Sequence, residues 1–263
     1  MNSWGCYNLH SMTSLSLYIL TRDSEKYLRQ ILEASKSIAD EIVIIDSGSF
    51  DDTFQIASEF KCRIFFHTLD NFRTQRQFAL SKCKHDWVLS FDSDEIPSPE
   101  LIQEIQQLKT SGFAHDAYSI KRKWNVLGKE VHTVYPIVSP DYPIRLFNKK
   151  TVVFDERSTR AHETPYGYNT LGQIESPLFH FTFETRRVLE EKLKHYSSIA
   201  SEDLIEQKRP LHIGKLLLSP LAAWFKWFII KGGYKDGSTG LVLANYAMRY
   251  TYLKYKKARA VSR

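Results

Sequence analysis

The sequence predicts an α/β fold: a mostly parallel sheet in the first half of the chain, then a helical, basic C-terminal extension. Three observations carry this. Short apolar runs alternate with segments of helical spacing over roughly 80 residues, the pattern of βαβ units. The runs are near-continuous, as in Ile42-Val43-Ile44-Ile45, and suit strands covered on both faces. The charge is also divided. Gln207 to Arg263 holds twelve Lys/Arg and one acidic residue, Asp236, a net +11. The preceding residues hold 24 basic and 29 acidic groups.

Taken in order, the residues before Ser14 are polar and unpatterned. Leu15–Leu20 is the first expected strand, followed by the loop Thr21-Arg22-Asp23-Ser24. Tyr27, Leu28, Ile31, Leu32 and Ile38 recur at helical spacing, with Asp23 or Ser24 as cap. Ile42–Asp46 is the second strand, and Ser47–Asp52 a turn into a helix ending near Phe60. Arg63–Phe66, a helix over Phe72–Lys82 and Trp87–Phe91 complete the alternation. Ser98-Pro99-Glu100 then reads as a helix start: an N-cap, a proline at the first position and a carboxylate at the positive end. From Tyr118 the pattern changes to short segments at 117–124, 131–135, 144–147 and 152–154, separated by Gly, Pro and Asn, which predicts an antiparallel extension. Helices are expected at 186–206, 213–231 and 240–257. The domains expected are 14–185, which holds the sheet, and 186–263, the helical extension.

At 263 residues with 43% hydrophobic content, the chain can bury a core without staples. Its three cysteines form no CxxC pair, which points to a reduced compartment and away from a zinc site. No secretory signal pattern opens the sequence. A polyanionic partner belongs to the C-terminal segment alone.

The chemistry-bearing stretch is Phe91-Asp92-Ser93-Asp94-Glu95, where a buried strand gives way to a loop. Ligands bind at such strand ends in open α/β sheets. Residues i and i+2 of an extended segment project to one side. Hard cations such as Mg²⁺ and Mn²⁺ prefer carboxylate oxygens and are shared with substrate phosphates. The pair therefore points to a divalent metal held between Asp92, Asp94 and a diphosphate. The structural alternative is a solvated acidic turn, because Asp-x-Asp is short and common.

Companions sharpen this. Thr21-Arg22-Asp23 follows strand one, and Asp46-Ser-Gly-Ser-Phe-Asp-Asp-Thr53 follows strand two. Asn71-Phe72-x-x-Gln75-Arg76-x-x-Ala79-Leu80 opens a helix, and Trp87-x-x-x-x-Asp92-x-Asp94-Glu95 follows strand four. In this order and spacing the chain resembles the family 2 inverting glycosyltransferases of the Rossmann-like GT-A fold. Within them it is most similar to lipopolysaccharide core β-glucosyltransferases. Arg145-Leu146-Phe147, His162-Glu163, Leu178-Phe179-His180 and the stretch Gly232–Gly240 support the narrower match.

The resemblance implies transfer of a hexose, with inversion, from a nucleotide diphosphate sugar (a UDP-sugar) to a lipid-linked glycan acceptor such as lipopolysaccharide core. It implies that Asp46 accepts from the uracil or ribose, that Thr21 and Arg22 line the same pocket and that Arg76 lies near the diphosphate. Asp92 would face ribose or metal, and Asp94 would ligate a divalent Mn or Mg. The acceptor hydroxyl needs a base; Glu163 is the candidate, with Asp155 and Glu156 behind it. Some positions depart from the family pattern. Asp23 and Ser24 stand where Asn then Glu are usual, Gln77 where Asn is common, and Ser93 in place of Ala.

His162 is read as orienting Glu163, as satisfying a core hydrogen bond or as a metal ligand, and His180 as a buried structural residue or a late metal ligand. Trp124 and Tyr135 suit core packing or a sugar face. Leu216–Ile230 is too short and too charged to span a membrane. With its aromatics and flanking Lys215, Lys231 and Lys235 it suits a helix in the membrane interface, hence a peripheral place on the cytoplasmic side of the inner membrane. Nucleic acid is not an expected partner. Two other functions compete: a sugar nucleotidyltransferase, which would need a glycine in the loop Thr21–Ser24, and a non-catalytic basic module binding membrane or nucleic acid, which leaves Asp92 and Asp94 without a purpose.

Overall fold

A computed structural model of the chain describes residues 13–154, 164–207 and 212–261. Asp155, Glu156, His162 and Glu163 lie outside the described residues. The chain divides into two compact units, Met1–Lys121 with Tyr142–Phe179, and Arg122–Asp141 with His180–Arg263. The expected boundary at 185/186 thus has residues 122–141 and 180–185 on its catalytic side, whereas here they cluster with the C-terminal helices.

The first unit follows the predicted alternation: β1 (Leu15–Thr21), α1 (Glu25–Ser35), β2 (Glu41–Asp46), α2 (Thr53–Glu59), β3 (Arg63–Phe66), α3 (Phe72–Lys82), β4 (Trp87–Asp92), a short β5 (Glu95–Pro97) and α4 (Pro99–Ser111). Three further strands follow: β6 (Ala117–Val126), β10 (Ile144–Asn148) and β11 (Leu171–Thr182). Between β6 and β10 come β7 (Lys129–Val131), β8 (Thr133–Val134) and β9 (Ile137–Val138), which belong to the second unit. The strand order is β3-β2-β1-β4-β10-β6-β11-β5. β3, β2, β1 and β4 are parallel, and β10 turns antiparallel beside β4.

Every residue of β1 is buried, which is why its sequence carries no polar alternation. One face of the sheet packs Tyr18, Leu20, Val43, Ile45, Val88 and Phe147 against Ala79 and Cys83 of the α3 side. α1 buries Leu28, Ile31 and Leu32, the positions of its helical spacing. The α4 start forms as its sequence dictates, with Ser98 Oγ accepting from Leu101 N at 3.1 Å and Pro99 in the first turn.

One expectation is refined, and one strand was not expected. Ser24 occupies the N-cap position of α1 but makes no side-chain cap bond; its hydroxyl reaches instead to Ser93 Oγ at 2.9 Å, where a second loop competes for it. Leu171–Thr182 is a 12-residue strand that the sequence did not announce. Gly172 and Pro177 punctuate an otherwise alternating pattern. Pro177 lacks a donor, and its carbonyl accepts from Ser98 N.

In the second unit, β6 continues into a hairpin with β7, and β8 pairs with β9. α5 (Arg186–Glu206) spans the predicted residues. α6 (Ile213–Phe225) runs into a π-helical turn over Lys226–Ile230, so the expected helix to 231 forms with a widened last turn. α7 (Gly237–Val261) packs on α5 and α6. The core joins Trp124, Val126, Val131 and Val134 to Phe183, Leu189, Leu193, Leu243 and Tyr246. Glycine is required at 240: a Cβ there would lie 1.7 Å from the Gly233 carbonyl oxygen.

Candidate functional site

Register assembles the site. Thr21 pairs with Asp46 across β1 and β2, and Leu20 pairs with Asp92 across β1 and β4. Three neighbouring parallel strands thus end together and place Thr21, Asp46 and Asp92 along one carboxyl edge. The loops beyond are tied to each other. Asp23 N donates to Ser49 Oγ at 2.9 Å, Phe50 N to Asp23 Oδ1 at 2.9 Å and Ser24 N to Thr53 Oγ1 at 2.7 Å. Asp23 adopts positive φ, which a short polar side chain tolerates.

Asp46 organises the second loop. Its Oδ1 accepts from Gly48 N and Ser49 N, each at 2.9 Å; its Oδ2 accepts from Thr21 Oγ1 at 2.9 Å and from Ser49 Oγ. Burial would raise this carboxyl, but the hydrogen bonds from Ser49, Gly48 and Thr21 outweigh it and hold it below the ordinary range. Thr21 is buried, and Arg22 is exposed at the loop.

Asp92 sits between two arginines. Arg76, reaching up from α3, donates from Nη2 to Asp92 Oδ1 at 2.9 Å and from Nη1 to Ser90 Oγ at 3.0 Å and Tyr18 Oη at 3.4 Å. Arg145, from β10, donates from Nη2 to Asp92 Oδ2 and to Glu95 Oε1. Glu95 is fully buried and accepts from Asp92 N at 3.1 Å through its second oxygen. The four charged groups balance, as buried charges must. Burial pushes the Tyr18 phenol up, against the pull of the Arg76 guanidinium. Asp94 lies half-buried in the turn between β4 and β5.

The expected residues therefore divide. Thr21, Asp46, Asp92 and Arg76 come together at the strand ends; Asp94 follows in the same turn; Glu163 lies outside the described residues. Arg145 and Glu95 were not given a role from sequence. The signal was available, since an Arg within the apolar run Ile144–Phe147 must meet a carboxylate. His180 is buried and stacked on Trp124, ring centroids 4.3 Å apart. Trp124 Nε1 donates to Asp141 Oδ1 at 2.7 Å, and Tyr135 packs on Trp227 and Tyr250.

No group of three or more His, Cys, Asp or Glu side chains that could hold a metal occurs among the described residues. The donor set still fits a hard cation. Asp94 and the half-buried Asp92 are carboxylates, and Mg²⁺-type sites use one or two of these and take the rest of their oxygens from substrate phosphates and water.

The family model for Glycosyl transferase family 2 matches residues 16–161. The chain belongs to this glycosyltransferase family. Its sheet is that of the GT-A fold, mixed α/β and mostly parallel, and its competitors, a nucleotidyltransferase or a non-catalytic basic module, are set aside. An uncharacterized glycosyltransferase of Rickettsia typhi is 27% identical over 95% of this chain and 88% of that protein. The lipopolysaccharide core biosynthesis glycosyltransferase LpsC of Rhizobium meliloti is 24% identical over 92% of this chain and 91% of that protein. Among solved structures, glucosyl-3-phosphoglycerate synthase from Mycobacterium tuberculosis, in complex with Mn²⁺ and UDP-glucose, is 15% identical with a TM-score of 0.48, covering 76% of this chain and 82% of that one.

Proposed function

We propose that this glycosyltransferase moves a hexose, with inversion, from a UDP-sugar to a lipid-linked glycan of the lipopolysaccharide core type. The observation that carries the donor reading is the shared carboxyl edge of β2, β1 and β4, where the family's residues stand side by side. The acceptor reading rests on similarity to LpsC along nearly the full length of both chains. The catalytic domain is proposed to run over 14–185, with 186–263 as the membrane-associating extension. The enzyme would act peripherally, on the cytoplasmic side of the inner membrane.

Each residue has a proposed task. Asp46, its carboxylate fixed by its own loop, would accept from the uracil or ribose in exchange for a hydroxyl bond it now takes from Thr21 or Ser49, with Thr21 and Arg22 beside it. Arg76 and Arg145 hold Asp92 in one orientation, with Arg76 near the diphosphate. Asp94, with Asp92, would hold Mn²⁺ or Mg²⁺, which neutralises charge on the departing diphosphate. Glu163 takes the proton from the acceptor hydroxyl. That oxygen bonds to the anomeric carbon as its bond to the diphosphate breaks on the opposite face, and UDP leaves with the bonding pair.

The test is nucleotide release from a panel of nucleotide sugars with extracted lipopolysaccharide as acceptor, run with Mn²⁺ or Mg²⁺ and again with excess chelator. Metal-dependent UDP release from one donor is expected, together with loss of turnover in Glu163→Gln. Release that persists in chelator would remove the metal from the proposal, and full activity in Glu163→Gln would remove the base.

A further inference from the structure

The outward face of α6 is apolar, the reverse of a surface helix in water. Leu217, Leu218, Leu221, Phe225, Ile229 and Ile230 are between 43 and 69% exposed. The first four recur at helical spacing with exposed Gly214 and Ala222, so they share one side. The opposite side is already used. Pro220 and Trp227 are buried, Trp227 meets Tyr135 edge-on at 5.4 Å, and Trp224 Nε1 donates to Asn245 of α7 at 3.0 Å. The π-helical turn at 226–230 brings Lys226, Ile229 and Ile230 to the surface together. Lys231 and Lys235 are exposed just beyond, and no acidic residue stands between Gln207 and Lys235. No helix among the described residues is long and apolar enough to cross a membrane.

We infer that α6 and the turn after it dock in the plane of an anionic lipid surface, with Leu217, Leu218, Leu221, Phe225 and Ile229 entering the acyl boundary and Lys226, Lys231 and Lys235 meeting lipid phosphates. Charge decides the occupant. A second copy of the chain would bring like-charged lysine clusters together across a self-complementary interface, which is repulsive. An anionic headgroup layer neutralises the same lysines, each contributing to binding. The apolar stripe is continuous, as an interfacial helix requires, and not scattered. The inference deepens the lipid-linked acceptor proposed above but is carried by this surface alone. Vesicle binding is read without donor or acceptor, so its failure is distinguishable from failure of the transferase reading.

The experiment is flotation of the full chain with vesicles of phosphatidylethanolamine and phosphatidylglycerol, against vesicles of phosphatidylcholine alone. The chain is expected to float with the anionic vesicles and to be released by high salt. Leu221→Glu with Phe225→Glu should stay in the dense fraction while melting as the parent does, because both side chains are exposed. Lys226→Ala, Lys231→Ala and Lys235→Ala together should weaken partitioning about a hundredfold, at about fivefold each. Failure of the full chain to float, equal binding to phosphatidylcholine, or undiminished flotation of the Leu221/Phe225 variant would each overturn the inference. So would a dimer on size-exclusion chromatography that the same variant splits without any vesicle binding.

Discussion

Asp92 is held between two arginines at the strand ends, and these make that region sensitive to single changes. Arg145→Ala takes from the fully buried Glu95 the guanidinium it is paired with. Removing one partner of such a pair costs about 3–5 kcal/mol, so chemical denaturation of Arg145→Ala should show a loss of that size. Asp94→Ala, half-buried in a turn, should leave the melting temperature near the parent's and lower turnover by about a hundredfold or more. Asp46 gives a pH signature. Its folded pKa lies below the unfolded value, so its contribution is complete above the unfolded value and is lost as pH falls through the folded one. Asp46→Asn should therefore flatten the acid limb of the stability curve below about pH 4, measured by thermal melts across pH. Asp92 and Asp94 were legible because a buried strand delivers them to a loop. That Arg145 needs a carboxylate was legible in its apolar run, but which carboxylates was not, because they stand fifty or more positions earlier in the chain and only β10 folding back beside β4 brings them into reach.

Among the elements, the parallel strands were the most readable, since burial on both faces leaves no polar residue in β1 other than Ser16 and the edge threonine. β11 was the least readable. Its glycine and proline look like punctuation when the partner strand is unknown, and here Pro177 only needs its carbonyl to be paired. Helix caps divided the same way. Ser98 caps α4 as its position dictates, and Ser98→Ala should cost about 1 kcal/mol, read from the denaturation midpoint. Ser24 stands in the same kind of place yet spends its hydroxyl on Ser93, a choice that depends on the loop after β4 and so is invisible locally. The stretch 232–240 had a family likeness but no assigned task. Its structural requirement is now plain in Gly240, whose missing Cβ lets α7 meet the Gly233 carbonyl. Gly240→Ala should destabilise by about 1–3 kcal/mol through overpacking.

At the scale of the whole molecule, two different physical demands divide the sequence. The first unit pairs Asp92 and Glu95 with Arg76 and Arg145 at the strand ends and buries the apolar runs of β1, β2 and β4. The C-terminal segment gathers twelve basic residues, and α6 with the turn after it leaves six large apolar side chains in the open, a combination that favours contact with another surface. The proposed transfer to a lipid-anchored sugar acceptor would give both units one purpose. The central claim is that the shared edge of β2, β1 and β4 receives a nucleotide diphosphate with a metal, and calorimetric titration of UDP tests it most directly. UDP should bind in the presence of Mn²⁺, bind far more weakly in excess chelator, and lose the Mn²⁺-dependent part in Asp94→Ala. No heat of UDP binding with or without metal, or binding unaltered in both Asp46→Asn and Asp94→Ala, would contradict the account.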